Sequence, residues 1–291
     1  MGSLHIAGVM RLDIFSPNNV GSDGAIFKAT VDALQNLGCR VSVYSEEEFQ
    51  LNEIQEDIVF SMGRQDRTIS KLLALENKGV RVINTPLGVV NCVREQMTKV
   101  LLKAKVPHPK SMITSTDVDK LFFEKYDLGY PCWVKRGESH AIEKEDVAFV
   151  SNSVELERKM SDFRNRGICR AVINEHLRGD LVKFYGVVGT PFFFWFYPLD
   201  IKHSKFGLEK INGKPLGYDF DEESMKVICD KAATELSISI YGGDCVVDES
   251  GQMKIIDFND WPSFAPCRDE AAVYIASCIY NQSISNIRIK K

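Results

Sequence analysis

The eight cysteines contain no CxxC pair, and the nearest two, Cys267 and Cys278, stand eleven positions apart. That spacing takes away the usual support for zinc sites and redox dithiols. Most of the cysteines sit beside apolar residues, as Cys132 does in Tyr130-Pro131-Cys132-Trp133-Val134. They are expected to be small buried hydrophobes in a reducing, cytoplasmic setting. Neither charge dominates: 36 Lys and Arg face 40 Asp and Glu, a formal net of −4, so the footprint of a nucleic-acid binder is missing. The longest apolar run, residues 191–198 (PFFFWFYP), is far too short to cross a bilayer and reads as a buried strand. No membrane partner is expected. The N-terminus lacks a basic region followed by a long apolar run, so no signal peptide is expected either. Ten prolines, 10% aromatics and 44% hydrophobic residues exclude long disorder, collagen and coiled coil. GxGxxG, GxxxxGK[ST], HExxH and GxSxG are all absent, which removes the sequence support for the chemistries those motifs serve.

Against these absences stands a regular alternation. Residues 5–10, 40–44, 57–62 and 81–84 read as strands, with helical spacing over 23–37 and 71–78 between them, the pattern of a parallel sheet. Strand ends in such sheets face the ligand crevice. Arg11, the loop 16–24 and Arg64 are therefore candidates for a small-molecule site, the loop being equally readable as an ordinary turn cluster. A helical pattern from Arg94 to residue 105 ends at the prolines of 106–109. Beyond lie an extended start, a helix near 118–125, strands over 132–135 and 147–151, a helix near 154–163 and a strand over 170–174. Strands 181–188 and 191–196 follow, then a charged stretch 202–219, a helix over 222–236, a hairpin of strands 243–247 and 253–258, and a C-terminal helix. A chain of 291 residues exceeds what one core comfortably serves. Three units are expected: an open α/β domain over 1–93, a central unit over 94–173 and a C-terminal sheet unit over 174–291.

The hairpin carries the densest chemistry. Asp257 and Asn259 stand two apart on a strand and share a face, and the turn brings Asp244 opposite them. Three oxygen donors suit a hard cation such as Mg²⁺. Mere strand-end capping is disfavoured because Asp257 and Asn259 interrupt an apolar strand, where an unpaired carboxylate is costly.

A helix carrying Arg94, a strand ending in Trp133-Val134-Lys135, the segment 172–177 followed by Gly179, and the Asp244…Asp257-x-Asn259 hairpin together resemble the ATP-grasp superfamily over most of the chain. The resemblance implies ATP and Mg²⁺, two ions, as cofactors. It makes Lys135 the phosphate lysine, Asn174, Glu175, His176 and Leu177 the adenine linker, and Asp180 a ribose contact. Arg94 becomes an ATP-contacting arginine, and Asp244, Asp257 and Asn259 the metal ligands. In detail the chain is similar to inositol phosphate kinases of the inositol trisphosphate 5/6-kinase type. There Asn259-x-Trp261-Pro262-x-Phe264 has its counterpart, His140 matches a substrate histidine and Lys183 a phosphate-reaching lysine. Glu145 and Ser263 depart from that pattern, in place of a second histidine and of a glycine whose backbone meets the substrate, and both changes bear on the acceptor.

The leading expectation is therefore a kinase acting on a hydroxyl of a small polyol phosphate, with Lys135, His140 and Lys183 catalytic. Arg11, Arg64, His140, Lys202, His203, Lys205 and Ser263 are candidate substrate contacts, and the charged stretch containing Lys202, His203 and Lys205 is a candidate lid. The alternative is a ligase that activates a carboxylate as an acylphosphate and passes it to an amine or thiol, which needs an arginine for the acceptor carboxylate. Arg11, Arg64, Arg136 and Arg268 are available for that role. A nucleotide-binding module without catalysis is disfavoured by the intact metal set.

Overall fold

Four short strands, β1 (His5–Val9), β2 (Arg40–Tyr44), β3 (Ile58–Ser61) and β4 (Arg81–Ile83), pair in parallel in the order β2-β1-β3-β4. They belong to a computed structural model that describes residues 4–15, 20–118, 128–139, 143–200 and 211–289. Parallel neighbours need crossovers, and α1 (Val20–Asn36), α2 (Glu46–Leu51) and α3 (Asp66–Asn77) supply them.

Two local outcomes differ from the periodicity. Residues 20–24 are helical, not part of a loop, although they include Gly21 and Gly24. Burial of Ile26, Phe27, Val31 and Leu34 on the same helix outweighs glycine's cost of about 1 kcal/mol. Helix α2 was not expected, yet it starts with a capping box: the Glu48 N–H donates to Ser45 Oγ at 3.1 Å, and the Ser45 N–H donates to Glu48 Oε2 at 2.8 Å. Thr85 caps α4 (Pro86–Asn91) by its side chain alone, accepting from the Gly88 N–H at 2.9 Å with Pro86 in the first turn.

A second sheet holds β5 (Ser111–Ser115), β6 (Cys132–Arg136), β7 (Val147–Val150) and β8 (Arg170–Glu175), antiparallel in the order β5-β8-β6-β7. Helix α6 (Ser153–Asn165) covers it with Leu156, Met160 and Phe163. The helix expected near 118–125 lies, apart from Val118, outside the described residues. The third sheet is β10-β9-β11-β12, built from β9 (Asp180–Val187), β10 (Phe193–Phe196), β11 (Ile240–Val247) and β12 (Met253–Asp260). Strand β10 is not the buried strand its composition suggested. Among the described residues it pairs only with β9, at the sheet edge, and three of its four residues are half-buried.

Packing ties the sheets together. Helix α5 (Arg94–Lys103) buries Met97 and Leu101 with Val182, Phe184 and Phe258 of the third sheet and with Met225 and Ala232 of α7 (Glu222–Leu236). The C-terminal helix α8 (Arg268–Ile289) places Ile275 and Ile279 in one cluster with Ile26, Leu34 and Phe60 of the first layer. Trp261, fully buried, stacks on Phe60 at 5.7 Å between ring centres. Each such side chain contributes about 1.5–3 kcal/mol by burial. Seven of the eight cysteines are buried and Cys169 is exposed; all are thiols. Among the described residues no helix is long and apolar enough to cross a membrane.

Helix α5 is pinned to β8 by Glu95, whose carboxylate accepts Arg170 Nε at 2.8 Å and Arg170 Nη2 at 3.0 Å and also meets Lys99. The Arg170 hydrogen bonds, outweighing burial and helped by Lys99, lower the Glu95 carboxyl from 4.5 to about 2. A depressed folded value means that the stabilisation is complete above 4.5 and disappears as the pH falls through about 2. Glu95→Gln is expected to cost about 1 kcal/mol near pH 6, after screening at the half-exposed Arg170 is allowed for. It should also flatten the acid limb of stability between pH 4.5 and 2, as read by urea unfolding at a series of pH values.

Candidate active site

The candidate site forms where the third sheet meets β6 and α5. Register places Lys183 of β9, Asp244 of β11 and Asp257 of β12 side by side across three strands. Asn259 stands opposite Gly242, two residues further along β12. A β-bulge makes this possible: Asp244 pairs with Asp257 while Cys245 pairs with Ile255, leaving Ile256 as the extra residue. Strict alternation would put Ile255 and Asp257 on one face. The bulge lets Ile255 join the core while Asp257 joins Asp244. Close packing of the hairpin also requires Gly242, where a Cβ would come within 2.5 Å of the Tyr185 ring and 2.7 Å of Pro262.

Cations converge on the two carboxylates. Lys183 Nζ donates to Asp244 Oδ1 at 2.8 Å, and Arg94 Nη1 lies 3.4 Å from Asp257 Oδ1. Lys135, projecting from β6 and 6% exposed, donates to the Ile256 carbonyl at 3.1 Å. Burial, and then the neighbouring Arg94, lower the Lys135 ammonium to about 7 against the pull of Asp257 and Asp244. Burial alone would raise Asp257, but Arg94, then Lys135 and Lys183, hold it below the ordinary carboxylate value. It is therefore ionised. Three cationic side chains, two of them buried, thus face two half-buried carboxylates, and Arg94 Nε has no hydrogen-bond partner among the described residues. Such a surplus suits an anion.

Two carboxylates and an amide oxygen also suit Mg²⁺. Among the described residues no three His, Cys, Asp or Glu side chains cluster, so the candidate donor set is Asp244, Asp257 and Asn259. The ammonium of Lys183 and the guanidinium of Arg94 now meet the two carboxylates, where a bound cation would.

The expected linker lies at the end of β8. Asn174 Nδ2 donates to Ser111 Oγ at 2.7 Å. Glu175 accepts the Lys110 N–H at 2.8 Å and Lys254 Nζ at 3.0 Å. Trp133 Nε1 lies 3.2 Å from His176 Nδ1, and the Leu177 carbonyl accepts Asn212 at 3.3 Å. Asp180 is engaged differently from a ribose contact. It is buried, and its oxygens accept the N–H groups of Leu216, Gly217 and Tyr218 at 2.7, 2.8 and 2.9 Å. That arrangement anchors the strap 216–218, and the geometry does not support the ribose role.

Arg11 and Arg64 do stand at the ends of β1 and β3, but protein groups already hold them. Arg64 grips Asp260 at 2.5 and 3.4 Å. Arg11 bridges Asp23 at 3.0 Å and lies 3.5 Å from Asp260, while its guanidinium donates to the carbonyls of Asp260 and Trp261. These bonds secure the turn after Asn259, where Trp261 (φ 41°) and Phe264 (φ 48°) adopt left-handed backbone and Ser263 is buried. Asp260→Asn removes the carboxylate that Arg64 grips and leaves Arg11 with Asp23 alone, and is expected to cost about 3 kcal/mol in urea unfolding. His140, Lys202, His203 and Lys205 lie outside the described residues. One residue absent from the sequence expectations does belong here: His108, buried beside Lys135 and Asp257.

No family profile and no curated protein sequence matches the chain. Solved structures do. A D-alanine–D-alanine ligase from Bacillus anthracis, in complex with ATP, aligns over 100% of both chains with a TM-score of 0.69 at 14% identity. A second structure of a D-alanine–D-alanine ligase from Bacillus anthracis aligns with a TM-score of 0.66 at 13% identity, over 99% of this chain and 100% of that one. D-alanyl-alanine synthetase A from Vibrio cholerae aligns over 98% of this chain and 99% of that one, with a TM-score of 0.67 at 10% identity. At such identities the likeness is one of fold, and that fold, mixed α/β and α+β over the full chain, is the ATP-grasp fold.

Proposed function

We propose that this chain is an ATP- and Mg²⁺-dependent ligase that joins a small carboxylate to an amine or thiol. The observation that carries the proposal is the surplus of cations, buried Lys135 and Arg94 with half-buried Lys183, around the Asp244–Asp257 pair in a chain with the fold of ATP-dependent ligases. Lys135 and Arg94 hold the phosphates, and Lys183 exchanges Asp244 for phosphate oxygens as nucleotide enters. Asp244, Asp257 and Asn259 would hold Mg²⁺, which would neutralise charge on the transferring phosphoryl group. An acceptor carboxylate oxygen attacks the γ-phosphorus and ADP leaves. An amine or thiol then attacks the acyl carbon and free phosphate leaves.

The kinase reading led on sequence alone, and two considerations reverse the order. The structural neighbours are carboxylate–amine ligases. A multiply phosphorylated acceptor also needs several uncommitted cations, whereas, of the candidates among the described residues, Arg11 and Arg64 are committed to Asp23 and Asp260. The test is incubation with Mg²⁺-ATP and separate pools of amino acids, other carboxylates with amines, and polyol phosphates. ADP, free phosphate and product mass are read together. Equimolar ADP and phosphate with a condensation product support the ligase. ADP without phosphate, and a product heavier by one phosphoryl group, reinstate the kinase.

A further inference from the structure

Segment 106–109 connects α5 to β5 and lies along β12. The Pro107 carbonyl accepts the Ile255 N–H at 2.9 Å, and His108 Nδ1 lies 2.6 Å from the Ile255 carbonyl oxygen. A carbonyl only accepts, so Nδ1 carries the proton. Burial, and then the nearby Lys135 charge, lower the imidazole from 6.5 to about 4. The ring is neutral, and Nε2 presents a lone pair. His108 is 8% exposed, and Nε2 has no hydrogen-bond partner among the described residues. A buried acceptor left without a donor costs about 1–3 kcal/mol, so the position calls for a donor from outside the chain.

The order of contacts along β12 says which part of a ligand brings it. Lys254 meets Glu175 of the linker, Ile255 meets His108, the Ile256 carbonyl meets Lys135, and Asp257 meets Arg94. His108 therefore stands between the linker and the phosphate lysine. On the ATP-ligase reading, on which this inference rests, that interval belongs to the nucleoside. Phosphate oxygens carry no proton to offer a lone pair at neutral pH, whereas the adenine amine and the ribose hydroxyls do. We propose that His108 Nε2 accepts a hydrogen bond from the nucleoside half of bound ATP and recognises the nucleotide without contributing to the hold on its phosphates.

Two variants separate the two ring nitrogens. In His108→Asn the amide nitrogen reaches the place of Nδ1 and keeps the Ile255 bond, but the acceptor is lost. His108→Gln puts a carboxamide oxygen near the place of Nε2. Calorimetric titration of the full chain with ATP, inosine triphosphate, 2′-deoxy-ATP, 3′-deoxy-ATP and inorganic tripolyphosphate, each with Mg²⁺, reads the contact, and thermal unfolding of both variants reports the fold. His108→Asn is expected to bind ATP about ten-fold more weakly, to bind tripolyphosphate as the unaltered chain does, and to be partly rescued by His108→Gln. The analogue whose disadvantage vanishes in His108→Asn identifies the donor, the base amine for inosine triphosphate or a hydroxyl for a deoxy analogue. Unchanged ATP affinity, or an equal loss for ATP and tripolyphosphate, overturns the inference. An unaltered chain that binds neither ATP nor tripolyphosphate overturns the ligase reading beneath it.

Discussion

Lys135→Met is expected to lower kcat/KM for ATP by about 10²–10³-fold while the fold persists. The ammonium lies almost wholly buried at the carboxylate pair, where a donor aimed at developing phosphoryl charge acts in a low dielectric and contributes far more than at a surface. Methionine retains the apolar stem that packs beside β12, so stability is expected to hold or rise as a buried charge is removed. The same lysine predicts proton uptake. Held at about 7 without ligand, it is mostly neutral at pH 8, and a bound triphosphate favours the charged form. Titration at pH 8 in buffers of differing ionisation enthalpy should therefore show protons taken up on ATP binding, and Lys135→Met should take up fewer. A variant within about three-fold of the unaltered chain, with unchanged uptake, would move the phosphates elsewhere.

Asp257→Ala is expected to remove at least as much activity, about 10³-fold, by a different route. Asp257 is the carboxylate on which Arg94, Lys135 and Lys183 all act, and Asp244 is its cross-strand partner. On the proposed metal site its loss would take away one of two anionic oxygen donors, and it leaves Arg94 without the carboxylate 3.4 Å away. The signature is in the metal dependence. The Mg²⁺ concentration for half-maximal turnover should rise, and Mn²⁺ titrated without nucleotide should bind more weakly by electron paramagnetic resonance. Chelation with EDTA is expected to abolish turnover of the unaltered chain. A variant with diminished rate but an unshifted metal requirement would mean that Asp257 serves the fold and not the cation.

What could be read from the sequence follows from how local each signal is. β2 and α7 have the bounds that periodicity predicts, because apolar spacing and caps act within a few residues. Helices α2 and α4 were missed although Ser45 with Glu48 and Thr85 with Pro86 mark their starts. Both are six residues long, too short for an apolar face to register. The meeting of Lys183, Asp244 and Asp257 was only half legible. The hairpin was expected, but the bulge at Ile256 that turns Asp257 toward Asp244 leaves no mark on composition. Arg11 and Arg64 were rightly placed at strand ends, yet Asp260, 249 and 196 positions away, claims them. Sequence spacing cannot weigh an internal carboxylate against a ligand. His108 was hidden for the same reason: Pro107-His108-Pro109 punctuates a helix end, and its partner Ile255 lies 147 residues on.

The most direct test of the ligase reading follows one oxygen atom. Acceptor carboxylates labelled with ¹⁸O are supplied with Mg²⁺-ATP and the amine or thiol that gives turnover, and the released phosphate is weighed by mass spectrometry. An acylphosphate route carries one ¹⁸O from the carboxylate into each phosphate released, and that is the predicted result. Unlabelled phosphate, or a phosphoryl group retained on the acceptor with no phosphate released, would contradict it.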